Sequence, residues 1–265
     1  MLDKGTYLAS IRRDVPLLVT AARRDLAVPI PSCPGWSMAT LVAHLGEVER
    51  FWAHVVEQRA QSQIDFPDAE LGVPERERSW YAAALEGNAD LAALPPGLIP
   101  WFEQSAARLV EVFERTDPEE IVWHWSDDNR GITHMRNQAM EHTFHRWDAE
   151  NAVGVTTEFD PAIAVDAIDQ HFEVQIGARR YWNAFARGAG ERYHLHRTDG
   201  DGEWTIQFDG DAYSVTRAHA KGDVAVRGTA EDLALWLWGR PTRDRLEVLG
   251  DRAVFERYTQ LVPTG

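Results

Sequence analysis

Apolar residues recur at helical spacing through most of the first 150 positions. Leu8 to Leu26 is one such stretch, ending in the proline-broken run Val28-Pro29-Ile30-Pro31. The turn Ser32-Cys33-Pro34-Gly35-Trp36 follows, and Ser37 is placed to cap the next helix. That helix carries Met38, Leu41, Val42, Leu45, Val48, Phe51, Trp52, Val55 and Val56, a stripe with the 3.6-residue period. Beyond a polar loop around Gln61 to Pro74, helical patterns cover Glu75–Leu94 and Trp101–Arg115, with Pro95-Pro96-Gly97 between them. Thr133 is placed to cap a further helix over His134–Asn151. Four long helices joined by loops that suit antiparallel neighbours predict a four-helix bundle.

After Gly154 the pattern changes. Pro161 suits the first turn of a helix reaching Trp182. Short alternating runs follow at Tyr193–Arg197, Trp204–Phe208, Tyr213–Thr216 and Val224–Arg227, separated by turn clusters such as Asp199-Gly200-Asp201-Gly202. A helix over Thr229–Trp238, a strand over Leu246–Leu249 and a helix from Asp251 end the chain. The prediction is α+β: a bundle domain over residues 1–152 and a smaller α/β domain with a mostly antiparallel sheet over 160–265.

Charge narrows the function classes. With 27 Lys+Arg against 42 Asp+Glu the net charge is −15, which argues against nucleic acid and anionic membrane surfaces as partners. No apolar run approaches the roughly 18 residues of a membrane span, and the start lacks a signal-peptide core, so the expected location is the cytoplasm. The single cysteine, Cys33, excludes an intrachain disulfide and any multi-cysteine metal site. The eleven tryptophans suit a bulky helical core.

Ten histidines direct attention to metal chemistry. His44 falls about 60° from the centre of its helix's apolar stripe and faces the interior, whereas His54 falls outside the stripe and faces water. A lone interior histidine is commonly a hydrogen-bonded core residue, so His44 needs partners to count as a ligand. On the helix His134–Asn151, Glu141 and His145 stand one turn apart, with Gln138, His134 and Asp148 in the same sector. Carboxylate–imidazole pairs of this kind build metal sites inside bundles, but a polar stripe is also the usual solvated face. The wheel leaves both readings open.

The segment Val28-Pro29-Ile30-Pro31-Ser32-Cys33-Pro34-Gly35-Trp36-Ser37, followed by Leu41-Val42-Ala43-His44-Leu45-Gly46, resembles the N-terminal signature of the mycothiol-dependent maleylpyruvate isomerase family. Glu141-His142-Thr143-Phe144-His145-Arg146-Trp147-Asp148-Ala149-Glu150 is similar to that family's second signature, and Val226 to Leu233 with Leu235 to Arg240 to its C-terminal domain. The resemblance implies a DinB-like metal-binding four-helix bundle followed by a smaller α/β domain. It implies a divalent metal, zinc first, held by His44, Glu141 and His145, with His142 a weaker candidate and Asp148 placed to orient His145. Two imidazoles and one carboxylate form a three-ligand set with an open position, the catalytic zinc pattern. In such enzymes mycothiol supplies a thiolate that adds to a cis double bond; rotation and elimination then give the trans isomer. A thiol S-transferase using the same thiolate is the alternative enzyme, and a non-catalytic metal-binding regulator or scaffold is the alternative outside catalysis. The partners expected are a small-molecule substrate and a low-molecular-weight thiol. Arg240 and Arg227 are the candidates for a substrate carboxylate, although Arg240 also suits a helix C-terminus. The Pro31–Trp36 turn reads first as turn chemistry, with Trp36 closing the bundle end and Cys33 as a packing residue.

Overall fold

A computed structural model describes residues 1–263 of the chain. The chain divides into two compact units, Leu2–Thr157 and Glu158 onward, the latter joined by Met1. Met1 enters it through its terminal ammonium, 3.3 Å from Asp166.

The first unit is a four-helix bundle of α1 (Lys4–Ala22), α2 (Met38–Glu57), α4 (Leu98–Arg115) and α5 (Gly131–Ala152), with α3 (Glu75–Leu85) packed on α2. α1 starts earlier than the apolar pattern because the Asp3 side chain accepts from the Thr6 amide and caps it. Ser37 caps α2 through the Thr40 amide, as expected. At Gly46 the α2 backbone meets α4 so closely that a Cβ would lie 2.3 Å from the Trp101 ring, so only glycine fits. The helix expected over Glu75–Leu94 ends at Leu85, because Gly87 turns with φ 74° and only a short 3-10 turn, Leu91–Ala93, follows.

Thr133 does not cap α5. The helix begins at Gly131, and its first amides, those of Gly131 and Ile132, donate to the carbonyls of Glu120 and Pro118. The turn over residues 117–120 thus takes the place of a side-chain cap, and a Cβ at position 131 would sit 2.5 Å from the Asp117 carbonyl oxygen.

The second unit is α+β. Its sheet runs β3-β2-β1-β4-β5, made from β1 (Gly188–Arg197), β2 (Glu203–Gly210), β3 (Ala212–Thr216), β4 (Val224–Gly228) and β5 (Glu247–Gly250). All pairings are antiparallel except β1 with β4. Tyr193, Leu195, Trp204, Ile206 and Phe208 are buried together with residues of α6 (Pro161–Gln170), α8 (Ala230–Leu237) and α9 (Arg252–Leu261). Asp160, Thr229 and Asp251 cap those three helices. The helix expected to reach Trp182 widens into a π turn at His171–Gln175 before α7 (Ile176–Trp182), where the buried His171 ring meets the Tyr258 hydroxyl at 2.8 Å.

Candidate metal centre

α5 is buried on nearly every side from Gly131 to Glu150, and Glu141 is its one partly exposed residue in that span. Its polar residues therefore need partners inside the bundle. His142 takes one at Glu49 of α2, Nε2 to Oε1 at 2.6 Å, while its Nδ1 reaches the Gln138 carbonyl at 2.7 Å. Both side chains are fully buried, and burial pushes Glu49 up to about 7 against the pull of His142. His142 is thus spent on Glu49. The signal for that pair was spacing: Glu49 falls seven residues, close to two turns, after Val42.

Arg146 points to the other side. Its guanidinium lies 3.4 Å from Asp14 of α1 and 2.8 Å from Glu150, with no exposure at Arg146 or Asp14. Thr143 donates to the same Asp14 carboxylate at 2.8 Å.

The remaining sector of α5 meets His44. The ligand atoms of His44, Glu141 and His145 all lie within 4.8 Å of one another. The two imidazole rings stand edge to face with centroids 5.4 Å apart, and His145 Nε2 is 3.5 Å from Glu141. His145 Nδ1 is 2.9 Å from Asp148 Oδ2, so the proton on Nδ1 is held by a carboxylate and Nε2 is turned toward His44 and Glu141. Burial, then the nearby His145, pushes His44 down to about 4, so it is a neutral nitrogen donor. Burial opposes charge on His145, but hydrogen bonds with Asp148, Cys33 and Glu141 outweigh it and hold the ring well above its usual range.

The connector before α2 completes the surroundings. The amide of Ile30 bonds to the Trp36 carbonyl and that of Met38 to the Val28 carbonyl, folding residues 28–38 into a tight loop. Gly35, at φ 87°, makes its reversal. The loop carries Ser32, whose hydroxyl donates to Asp148 Oδ1 at 2.5 Å, and Cys33, whose Sγ lies 3.8 Å from Asp148 Oδ2. It also sets the Trp36 ring 4.9 Å from His44 and stacked at 6.0 Å on His145. Trp36 and Ser32 thus lie against the candidate ligands and their carboxylate, although in sequence they read first as turn chemistry. The fold also brings His145 beside Cys33, which has no histidine close to it in sequence.

Other expected positions lie elsewhere. His54, expected to face water, has a side chain only 12% exposed, with Nδ1 3.6 Å from Glu70 and the ring against Phe66. His134 sits in an aromatic cluster with Trp52 and His124. Arg227 and Arg240 belong to the second unit. Arg227 pairs with Glu247 at 2.5 Å, and Arg240 donates to the Trp238 carbonyl at 2.9 Å just past the end of α8. That last contact is the role of a cation at a helix C-terminus.

The donor set fits a cation that prefers nitrogen with one oxygen. Two imidazoles and a carboxylate suit zinc-class ions and not calcium or magnesium, which take oxygen ligands.

Comparison with known proteins agrees with this architecture. A comparison with curated proteins finds no match in sequence. In fold, the chain is similar to the crystal structure of the mycothiol-dependent maleylpyruvate isomerase, with a TM-score of 0.62 at 14% identity over 93% of each chain. A histidine-to-alanine mutant of that enzyme gives a TM-score of 0.61 at 14% identity, again over 93% of each chain. At that identity the likeness is one of fold. The family models reach further: the mycothiol maleylpyruvate isomerase N-terminal domain matches residues 8–150, and the C-terminal domain of the same family matches 162–257. With both domain models matched in order along one chain, this protein belongs to the mycothiol maleylpyruvate isomerase family.

Proposed function

We propose that this chain binds one divalent metal ion, zinc, through His44, Glu141 and His145. We further propose that it is an enzyme of the maleylpyruvate isomerase type, using mycothiol to interconvert cis and trans isomers of an unsaturated acid. The observation that carries the reading is the convergence of those three donors within 4.8 Å, with His145 Nδ1 held by Asp148. When bound, such an ion supplies a Lewis acid that lowers the pKa of a thiol.

The chain's own residues do the rest. Asp148 keeps the proton on Nδ1 of His145, and Ser32 fixes the carboxylate that does so. Trp36 covers both imidazoles with an apolar ring and limits water at the donors. Glu141, 23% exposed at its side chain, leaves the donor set open on one side, where a thiol and substrate can enter. Recognition of the substrate's carboxylate by Arg227 and Arg240 is the remaining part of the proposal.

Elemental analysis of the purified chain, paired with an isomerase assay in the presence and absence of mycothiol, tests the reading. One zinc per chain is expected at this site, lost on His44→Ala together with thiol-dependent turnover. Arg240→Ala should raise KM for a dicarboxylate and leave the metal in place. Full metal retention in His44→Ala would overturn the ligand assignment. A product that keeps the thiol would make the chain an S-transferase.

A further inference from the structure

The second unit contains another group of imidazoles around a carboxylate, and no part of the function above uses it. His194 and His196 alternate along β1 and so share one face of the sheet, opposite the face that buries Tyr193 and Leu195. In the β1–β2 register His196 lies across from Glu203, and His194 across from Thr205. The Thr205 hydroxyl donates to the Ala218 carbonyl at 2.9 Å, which ties the segment after β3 over this face and delivers His219. Glu203 is the hub. Its Oε1 lies 2.8 Å from His196 Nδ1, and its Oε2 lies 2.9 Å from His219 Nδ1 and 3.6 Å from His194 Nε2.

Two ordinary histidine–carboxylate hydrogen bonds account for His196 and His219. They do not account for His194. Its side chain is 9% exposed, and its buried Nε2 reaches nothing closer than Glu203 Oε2 at 3.6 Å, a long and weak contact with an oxygen already engaged by His219. A buried nitrogen left in this way costs free energy unless something else satisfies it. The ligand atoms of His194, His196 and Glu203 already lie within 4.8 Å of one another, and the His194 and His219 rings stand edge to face at 4.7 Å. Donors around a tetrahedral zinc sit about 3.3 Å apart at Zn–N distances near 2.0 Å, so small rotations of these side chains close the set.

We propose that His194, His196, Glu203 and His219 form a second metal site that takes a zinc-class ion. Three imidazoles and one carboxylate exclude calcium and magnesium as the preferred guests. With four protein ligands the coordination shell is full, so the ion staples β1 and β2 to the segment carrying His219 and performs no chemistry. The site is independent of the bundle centre: none of its ligands is shared, and either can hold while the other fails.

Cobalt(II) titration of the full chain, followed by visible absorption and by equilibrium dialysis, tests this. The His44→Ala/Glu141→Gln/His145→Ala chain, with its bundle donors removed, should still bind one equivalent of Co(II) with the intense visible bands of a tetrahedral ion. Adding His196→Gln and His219→Gln should abolish that equivalent. The single His219→Gln change should weaken it by more than the roughly ten- to hundredfold typical of losing an outer partner of a ligand. His219 is 74% exposed, so this single variant folds whatever its role. Zinc should raise the thermal midpoint of the chain with the bundle donors removed and leave that of the further variant unmoved. If the chain without bundle donors takes up no cobalt, or if His219→Gln binds it as tightly, the second site does not exist.

Discussion

α5 and the β1–β2 pair both set imidazoles against carboxylates, but in opposite surroundings. On α5, His142 and Glu49 meet with no solvent exposure at either side chain, and Arg146 lies against Asp14 in the same condition. On the sheet, His196 and His219 reach Glu203 with side chains 34% and 74% exposed. In the bundle a polar group is held by partners that water cannot replace. Losing one partner therefore strands the other at a cost of about 3–5 kcal/mol. On the sheet, water replaces a lost partner and the cost falls below about 1 kcal/mol. What an imidazole beside a carboxylate is worth is set by burial and not by the pairing itself.

Acid should expose that contrast most strongly. In the bundle, burial, followed by the neighbouring histidine, pushes His124 down to about 3; burial pushes His134 down to about 4. Asp128 pulls both the other way, and Ser126 and the Val122 carbonyl occupy one nitrogen of each. The unfolded chain takes up these protons near pH 6.5, whereas the folded chain resists until about pH 3 to 4. The stability these residues contribute is thus complete above roughly pH 7 and is lost as pH falls from there to about 4, on the order of 3 kcal/mol for each. Urea unfolding at pH 7 and pH 4.5 should show the loss, and His124→Asn/His134→Asn should flatten it. An equal pH dependence in that double variant would show that the two rings are not the source.

Arg146→Ala comes next. It leaves Asp14 and Glu150 buried beside one another's elements without their shared cation, and a loss of about 3–5 kcal/mol is expected in urea unfolding at pH 7. The matched change on the sheet, Arg227→Ala, breaks an exposed pair with Glu247 and should cost less than about 1 kcal/mol. Equal losses from the two would break the comparison.

The same contrast separates what the sequence disclosed from what it hid. α2 shows its apolar stripe plainly, because its buried face is apolar apart from a few positions. The strands alternate, and the caps Ser37, Asp160, Thr229 and Asp251 stand where local chemistry puts them. α5 was hard to read for the opposite reason: it is buried on nearly every side while carrying His142, Arg146, Asp148 and Glu150, so no hydrophobic face marks its orientation. A wheel places Glu141 and His145 together but cannot supply Glu49, Asp14 or His44, which come from other helices. The resemblance to a family named the convergence of His44, Glu141 and His145; the spacing alone did not. Trp36 and Ser32 were missed because a Pro-Gly turn accounts for its own residues locally, and nothing local reports that the turn lies across α5.

The smallest effect expected is at Cys33. Its Sγ lies 3.8 Å from Asp148 Oδ2 and beside His145, close enough to invite a nucleophile's role. The geometry assigns it a lesser one. Asp148 Oδ2 already accepts from His145 at 2.9 Å and Oδ1 from Ser32 at 2.5 Å, so beside its contact with the His145 ring the thiol adds a third, long contact to a satisfied carboxylate. Its backbone is fixed by the turn, its amide donating to the Ile30 carbonyl and its own carbonyl accepting from Trp36, and Pro34 keeps it extended. It does not sit in the first turn of a helix: α2 begins five residues later, beyond Trp36 and the Ser37 cap. A serine hydroxyl in the same place keeps the contact with Asp148 and sacrifices only the packing of a sulfur. Cys33→Ser should therefore lower stability by about 1 kcal/mol or less, retain the metal, and keep thiol-dependent turnover within a few-fold. A variant that holds its metal and its fold yet loses turnover a hundredfold would make Cys33 the nucleophile, and an external thiol would then be unnecessary.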